Sequence, residues 1–151
     1  MTDTKLPSIH SDELEGPHGL VCQAYLNGDM HLGLKYFELN KRGSPAFRWP
    51  ENVIPYLMII AVVAQYTYDY GYIGFAASLL ITGFLGFYFI PRFLAKRVRA
   101  RALAMALADE AGWDKLWAAG GLGLRLAKDP NIACDSPDCD WRVFAEKYLQ
   151  D

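Results

Sequence analysis

Charged residues are nearly absent from one stretch of this chain of 151 residues. Between Glu51 and Arg92, Asp69 is the only acidic or basic residue, and apolar side chains fill most other positions. At 1.5 Å per residue, these 40 residues would form about 60 Å of helix, which crosses a hydrocarbon core of about 30 Å twice. The length therefore predicts a two-span transmembrane hairpin over residues 52–91, with spans at about 53–68 and 72–91.

The middle of this stretch lacks lysine and arginine as well. Asp69 and Gly71 lie there among several tyrosines, a composition that is typical of a turn at a membrane interface. A carboxylate at the bilayer centre costs about 2.5–3.5 kcal/mol on insertion scales. We therefore expect Asp69 at the turn, and a buried proton or ion site is the alternative.

Basic residues cluster on both sides of the predicted hairpin instead. Those that precede it are Lys35, Lys41, Arg42 and Arg48, and those that follow it are Arg92, Lys96, Arg97, Arg99 and Arg101. Because basic residues next to membrane spans stay in the cytoplasm, the sequence predicts a multi-pass protein of the cell inner membrane with both termini cytoplasmic. We expect the five that follow the hairpin to contact the anionic membrane surface.

Signatures of targeting and catalysis are also missing. Residues 1–16 are polar and acidic and have no apolar core, so we expect no secretory signal peptide. The chain contains no G-x-S-x-G, H-E-x-x-H or P-loop motif, and we predict that it is not an enzyme and holds no cofactor. Its net charge is -2 and no segment is strongly basic, which argues against a nucleic-acid partner.

Cysteine is scarce, with three residues at Cys22, Cys134 and Cys139. An odd number of cysteines in a reducing cytoplasm predicts free thiols. His18 lies four residues before Cys22, but structural zinc sites favour close cysteine pairs that are matched by a second pair of ligands. We therefore predict no metal, and a Cys-based metal or redox site stays open as an alternative.

Small residues recur in the second predicted span. Helices in lipid associate by close packing, which small side chains permit. The residues predicted to pack against another helix are Gly74, Ser78, Gly83 and Gly86. Contact between the two spans of the hairpin and contact with another subunit both fit this pattern.

The two flanks are predicted to be short helices, which makes the expected fold class all-α. They are an N-terminal cytoplasmic segment of residues 1–51 and a C-terminal cytoplasmic tail of residues 92–151, and each is at the lower limit for an independent core. Apolar spacing predicts helices at about 20–26, 30–39, 92–111 and 112–128. A loop follows from Asp129 to Ser136, and Ser136-Pro137 is predicted to open a final helix.

Aromatic residues mark the C-terminal flank. Trp141, Phe144 and Tyr148 are spaced to share one face of the final helix. Together with Trp113 and Trp117 they are predicted to bind a partner, since a stripe of this size is unfavourable in water. Packing among these five residues in a small helical domain is the alternative.

A membrane hairpin with two small flanks favours a non-catalytic accessory, assembly or anchoring subunit of a larger inner-membrane protein complex. The expected partners are the lipid bilayer and other membrane protein subunits, or further copies of the chain as a homo-oligomer. Two other functions stay open. One is a small membrane component with a Cys-based metal or redox site, and the other is a membrane-bound immunity or regulatory protein.

Overall fold

The computed structural model describes residues 16–150 of the chain, which are mostly helical. In chain order the elements are α1 (Pro17–Asn27), β1 (Met30–Leu34), α2 (Tyr36–Leu39), α3 (Trp49–Phe84), a π-helical segment (Leu85–Phe89), α4 (Ile90–Ala108), α5 (Glu110–Ala118), β2 (Leu122–Leu126), β3 (Ala133–Asp135) and α6 (Trp141–Tyr148).

The chain divides into two compact units. The first comprises the described parts of Met1–Ala46 and Arg99–Asp151, and we call it the flank unit. The second comprises Phe47–Val98, and we call it the apolar unit. Residues from both predicted flanks therefore fold together, which gives them one shared core in place of two marginal ones.

A small antiparallel sheet joins the two flanks, so the prediction of an all-α fold is wrong in this respect. Within residues 16–150, three strands pair in the order β1-β2-β3. The register places Leu32 opposite Leu124 and Leu124 opposite Cys134. Strand β1 thus brings the N-terminal flank against a strand that lies about ninety residues later in the sequence.

The predicted helices at 30–39 and 112–128 are corrected by this sheet. Met30, Leu32 and Leu34 alternate with more exposed residues along β1, which is the period of a strand and not of a helix. In place of the helix predicted at 112–128, α5 ends at Ala118. Gly120 follows with φ of 74°, a conformation that terminates helices and favours glycine. Residues 122–126 then form β2.

The final helix begins later than the sequence predicts. Ser136 does not cap it, because its hydroxyl donates to the carbonyl of Leu122 (2.5 Å) and accepts from the Leu122 amide (3.0 Å). Helix α6 starts at Trp141, and the side chain of Asp140 caps it by accepting from the Arg142 amide at 2.9 Å. Aspartate at this position satisfies an amide that has no partner inside the helix.

The apolar unit is built from the longest helical stretch in the structure. Among residues 16–150, one helix, Trp49–Ala108, is long and apolar enough to cross a membrane, and it runs through α3, the π-helical segment and α4. Gly71 interrupts it with φ of 62° and ψ of -145°, which are not helical. Glycine adopts this conformation without the clash that a Cβ atom causes.

Residues on the two sides of Gly71 contact each other. A Cβ atom on Gly74 would clash with the backbone oxygen of Tyr66, and one on Gly86 would lie 3.4 Å from Ile59 Cδ1. In an uninterrupted helix, residues 59 and 86 would be about 40 Å apart, since each residue adds 1.5 Å. The break at Gly71 therefore changes the direction of the chain.

Candidate membrane-facing and partner-facing surfaces

The surface of the apolar unit consists largely of exposed hydrocarbon. In the most apolar part of the helix Trp49–Ala108, 17% of the residues are buried. Leu80 is 77% exposed and Phe87 is 90% exposed, and large apolar side chains such as Ile60 and Ile73 are exposed as well. An exposed apolar patch of this size is unfavourable in water.

Tyrosines surround the break at Gly71. Tyr68, Tyr70 and Tyr72 are exposed, and tyrosine rings favour the level of the lipid headgroups. Asp69 is exposed among them, and its carboxylate accepts a hydrogen bond from Gln65 Nε2 at 3.0 Å. Asp69 itself is helical and lies two residues before the break at Gly71, and its place at a membrane interface stays a prediction.

Three of the four residues predicted to pack against another helix lie in a regular row within the apolar unit. Gly74, Ser78 and Thr82 are the buried residues of α3, which the structure describes throughout, and Gly86 continues the same spacing of four. Residues four apart lie on one face of a helix. The contacts of Gly74 with Tyr66 and of Gly86 with Ile59 show that this face packs inside the unit.

Gly83 differs from the other predicted packing residues. A Cβ atom placed on it would meet nothing within 4 Å, so it lies off the packed row. Thr82 was not among the predicted packing residues, although the spacing of four from Gly74 through Ser78 to Gly86 points to residue 82. The hydroxyl of Thr82 donates to the carbonyl of Ser78 at 2.6 Å, which makes this side chain compatible with close helix packing.

Two of the predicted membrane-surface residues stack on aromatic rings. The Arg92 guanidinium carbon lies 3.7 Å from the centre of the Tyr88 ring, and that of Arg97 lies 4.7 Å from the centre of the Phe93 ring. Both arginines are exposed. Stacking of this kind holds a guanidinium beside an aromatic ring and leaves its hydrogen-bond donors available.

The remaining three basic residues are not equivalent. Lys96 and Arg99 are exposed. Arg101 is half-buried, and its Nη1 donates to the carbonyl of Ala46 at 2.7 Å. Arg101 therefore links two parts of the flank unit, and contact of all five basic residues with a membrane surface stays a prediction.

Most of the aromatic residues predicted to bind a partner lie inside the flank unit. Trp113 is fully buried, Trp141 is 2% exposed, and Trp117 and Phe144 are also buried, whereas Tyr148 is 37% exposed. The Trp113 ring centre lies 5.5 Å from that of Trp141 and 6.2 Å from that of Trp117. These rings already contact one another within the chain, which is the alternative that the sequence left open, and partner binding by them stays a prediction.

Polar contacts fix α6 against α5 at the edge of this core. Trp141 Nε1 donates to Asp114 Oδ1 at 3.1 Å, and Arg142 Nη2 donates to Asp114 Oδ2 at 2.6 Å and to Glu110 Oε1 at 2.8 Å. The hydrogen bond to Asp114, followed by that to Glu110, raises the pKa of Arg142. No local sequence pattern indicates this cluster, because α6 contributes Trp141 and Arg142 about thirty residues after the two acidic residues of α5.

Two of the three cysteines are bonded to each other, so the prediction of free thiols is wrong for them. Cys134 and Cys139 form a disulfide with their Cα atoms 5.5 Å apart, within the usual range for such bonds. Trp117 Nε1 donates to the carbonyl of Cys139 at 3.0 Å, which ties the bridged loop to α5. A disulfide removes both sulfurs as metal ligands in this state.

Cys22 remains a free, buried thiol. Burial raises its pKa to about 11, so it stays protonated and unreactive near neutral pH. Its sulfur lies 3.6 Å from His18 Nε2, and that nitrogen donates to the carbonyl of Ala106 at 2.8 Å. Across the described residues, no group of three or more His, Cys, Asp or Glu side chains could hold a metal ion.

Comparison with known proteins adds no relative. No family model matches the chain, no curated protein matches it, and no solved structure matches it.

Proposed function

We propose that the chain is a non-catalytic accessory or anchoring subunit of a larger inner-membrane protein complex. Residues 52–91 anchor it as a two-span transmembrane hairpin that turns at Gly71. The exposed apolar surface of the helix Trp49–Ala108 carries this proposal, because four-fifths of its most apolar part is uncovered within the chain. Lipid is the medium in which such a surface is stable.

Three observations support the hairpin form of the anchor. The backbone break at Gly71, the contacts that join Tyr66 to Gly74 and Ile59 to Gly86, and the exposed tyrosines beside the break are all expected of two antiparallel spans with an interfacial turn. The basic residues on both sides of the hairpin favour an orientation with both termini in the cytoplasm. The flank unit is then a small cytoplasmic module.

An accessory role fits the distribution of side chains in the flank unit. Its aromatic residues stabilise its own fold, and its free thiol, Cys22, is buried with a raised pKa. The exposed face of the hairpin would pack against other membrane subunits or against further copies of the chain. Assembly through membrane helices needs close packing and no catalytic group.

Alkaline carbonate extraction of membranes, followed by affinity purification in mild detergent, tests the proposal. We expect the protein to stay in the membrane pellet and to co-purify with defined polypeptides, or to run as a discrete homo-oligomer. Leu80→Glu, in the exposed apolar surface, should reduce retention in the membrane, whereas Val143→Glu, exposed in the flank unit, should not. Release of the wild-type protein by carbonate would refute the anchor, and a lone monomer would refute the accessory role.

The disulfide favours a second candidate, a redox-linked membrane component. Disulfides in a reducing cytoplasm are usually transient and redox-sensing, so a cytoplasmic Cys134–Cys139 bond would report the local redox state. Acid quenching of cells followed by thiol alkylation measures the bridged fraction. A fraction that rises under oxidant supports this candidate, and a fraction that does not change removes it.

A further inference from the structure

An apolar groove runs along the apolar unit. Its volume is about 1090 Å³, and residues from both sides of the Gly71 break line it. Its lining residues include Ala64, Thr67, Phe75, Thr82, Gly83 and Pro91. The groove is therefore a feature of the apolar unit alone.

The threonine hydroxyls in the groove are already occupied. Thr67 Oγ1 donates to the carbonyl of Val63 at 2.7 Å, and Thr82 Oγ1 donates to the carbonyl of Ser78 at 2.6 Å. Each threonine thus directs its hydrogen-bond donor into its own helix and presents carbon to the groove. Tyr56 and Tyr68 also line the groove and carry the other side-chain hydroxyls there. Most of the lining is therefore carbon, which favours a hydrocarbon ligand, because a polar ligand would lose hydrogen bonds to water with little replacement.

Glycine keeps part of the groove open. Gly83 lines it, and a Cβ atom on Gly83 would still meet nothing within 4 Å. The neighbouring aromatic residues Phe75 and Phe87 also line the groove. A narrow ligand can therefore lie against the backbone at Gly83, which a larger residue at this position would prevent.

One end of the groove lies next to positive charge. Pro91 lines that end, and Arg92 is the next residue, with its guanidinium stacked on Tyr88 at 3.7 Å. Lys96 follows one helical turn later. The basic residues of the apolar unit are Arg48, Arg92, Lys96 and Arg97, and its acidic residues are Glu51, near the start of α3, and Asp69, beside the break at Gly71. The four basic residues outnumber Glu51, so the net charge of the residues away from the break is positive.

We propose that the groove binds a phospholipid with an anionic headgroup, with an acyl chain in the groove and the phosphate at Arg92. The inference rests on the proposed membrane anchor, since it needs the apolar unit to lie in lipid. The apolar lining of the groove matches the acyl chain of such a lipid, and the arginine at its end matches the anionic headgroup. A transmembrane helix of a partner would use the apolar lining but would not require the charge at its end.

Native mass spectrometry of the full-length protein in mild detergent tests the site. The protein is titrated separately with phosphatidylglycerol and with phosphatidylcholine, which differ in net headgroup charge. We expect one phosphatidylglycerol to be retained per chain, with tighter binding than phosphatidylcholine. Arg92→Gln should lower the preference for phosphatidylglycerol about fivefold, and Arg97→Gln, which removes the same charge from another face of the helix, should not.

Two groove-filling variants separate the acyl-chain contact from the charge contact. Gly83→Leu and Ala64→Leu should each weaken binding of both lipids about tenfold, since each fills space that the chain occupies. Ala76→Leu adds the same bulk at an exposed position that does not line the groove, and it should bind as the wild type does.

Several outcomes would overturn the site. They are equal binding of the two lipids by the wild-type protein, loss of preference in Arg97→Gln as large as in Arg92→Gln, and unchanged binding in both groove variants. A polypeptide that Gly83→Leu displaces would show that the groove binds a helix instead. Carbonate extraction of the same proteins keeps the two proposals distinct, because the anchor stands if they remain in the pellet while the lipid result is negative.

Discussion

The flank unit buries its large apolar side chains, whereas the apolar unit exposes most of its own. In the flank unit, Trp113 is fully buried and Trp141 is 2% exposed, whereas in the apolar unit Leu80 is 77% exposed and Phe87 is 90% exposed. The flank unit therefore carries its own core, while the apolar unit depends on its surroundings to cover its side chains. One short chain therefore combines a unit that buries its own apolar side chains with a unit that leaves most of them exposed, and the proposed anchor assigns the second unit to lipid.

The largest expected effect breaks the core of the flank unit. Phe144→Asp places a carboxylate among buried aromatic residues, and we expect a loss of more than about 3 kcal/mol of unfolding free energy, because a buried charge without a partner is costly. Chemical denaturation followed by tryptophan fluorescence measures this change. Val143→Asp is the matched control, since Val143 is 59% exposed, and it should cost less than about 0.5 kcal/mol.

Equal stability of the two variants would contradict the internal packing of α6. It would then favour a foreign partner for the aromatic stripe. Phe144 is 5% exposed in the isolated chain. The difference in unfolding free energy between the two variants therefore measures how much internal packing of Phe144 stabilises the flank unit.

The next effect concerns the packed row in the apolar unit. Gly74→Leu forces a side chain against the backbone of Tyr66, and we expect a loss of about 3 kcal/mol in detergent, at the upper end for overpacking. Gly83→Leu should leave stability nearly unchanged, because the space beside Gly83 is open. Thermal unfolding monitored by circular dichroism compares the two. A larger loss in Gly83→Leu would mean that the row faces lipid and Gly83 faces protein.

The disulfide contributes a smaller amount in the flank unit. Cys134→Ser with Cys139→Ser should reduce unfolding free energy by about 2 kcal/mol, the value expected when a short bridged loop is opened. Denaturation of the oxidised wild-type protein, the reduced wild-type protein and the double variant measures it. Reduced protein and double variant should agree, and no loss in either would show that the surrounding hydrogen bonds hold the loop by themselves.

The smallest effect comes from the ion pairs of Arg142. This side chain is 43% exposed, so solvent screens its interactions with Asp114 and Glu110, and Arg142→Gln should cost less than about 1 kcal/mol. Raising the salt concentration should shrink the difference between wild type and variant. A difference that is larger than that of the disulfide variant would mean that this cluster, and not the aromatic core, fixes α6.

The structure of the apolar unit could be predicted from the sequence more fully than that of the flank unit. The apolar run of residues 52–91 and the basic residues beside it are local signals, and the long apolar helix agrees with them. The row of Gly74, Ser78 and Gly86 could be read from spacing, and the same spacing would have added Thr82.

The sheet could not be predicted in the same way. Leu32 pairs with Leu124, ninety-two residues away, and each strand is five residues long, so local periodicity is weak. The disulfide was missed for another reason. Pairing of Cys134 with Cys139 depends on the redox state of the compartment, and the expected cytoplasm argued for free thiols.

Membrane topology tests the central claim most directly. Alkaline phosphatase, which is active in the periplasm, and a cytoplasmic fluorescent reporter are each fused after Gln150 and inserted at Tyr70. We predict fluorescence and no phosphatase activity at the C-terminus, with the reverse at Tyr70, because the proposed hairpin would turn beside Tyr70 and return the chain to the cytoplasm. The same compartment at both positions would contradict the two-span hairpin.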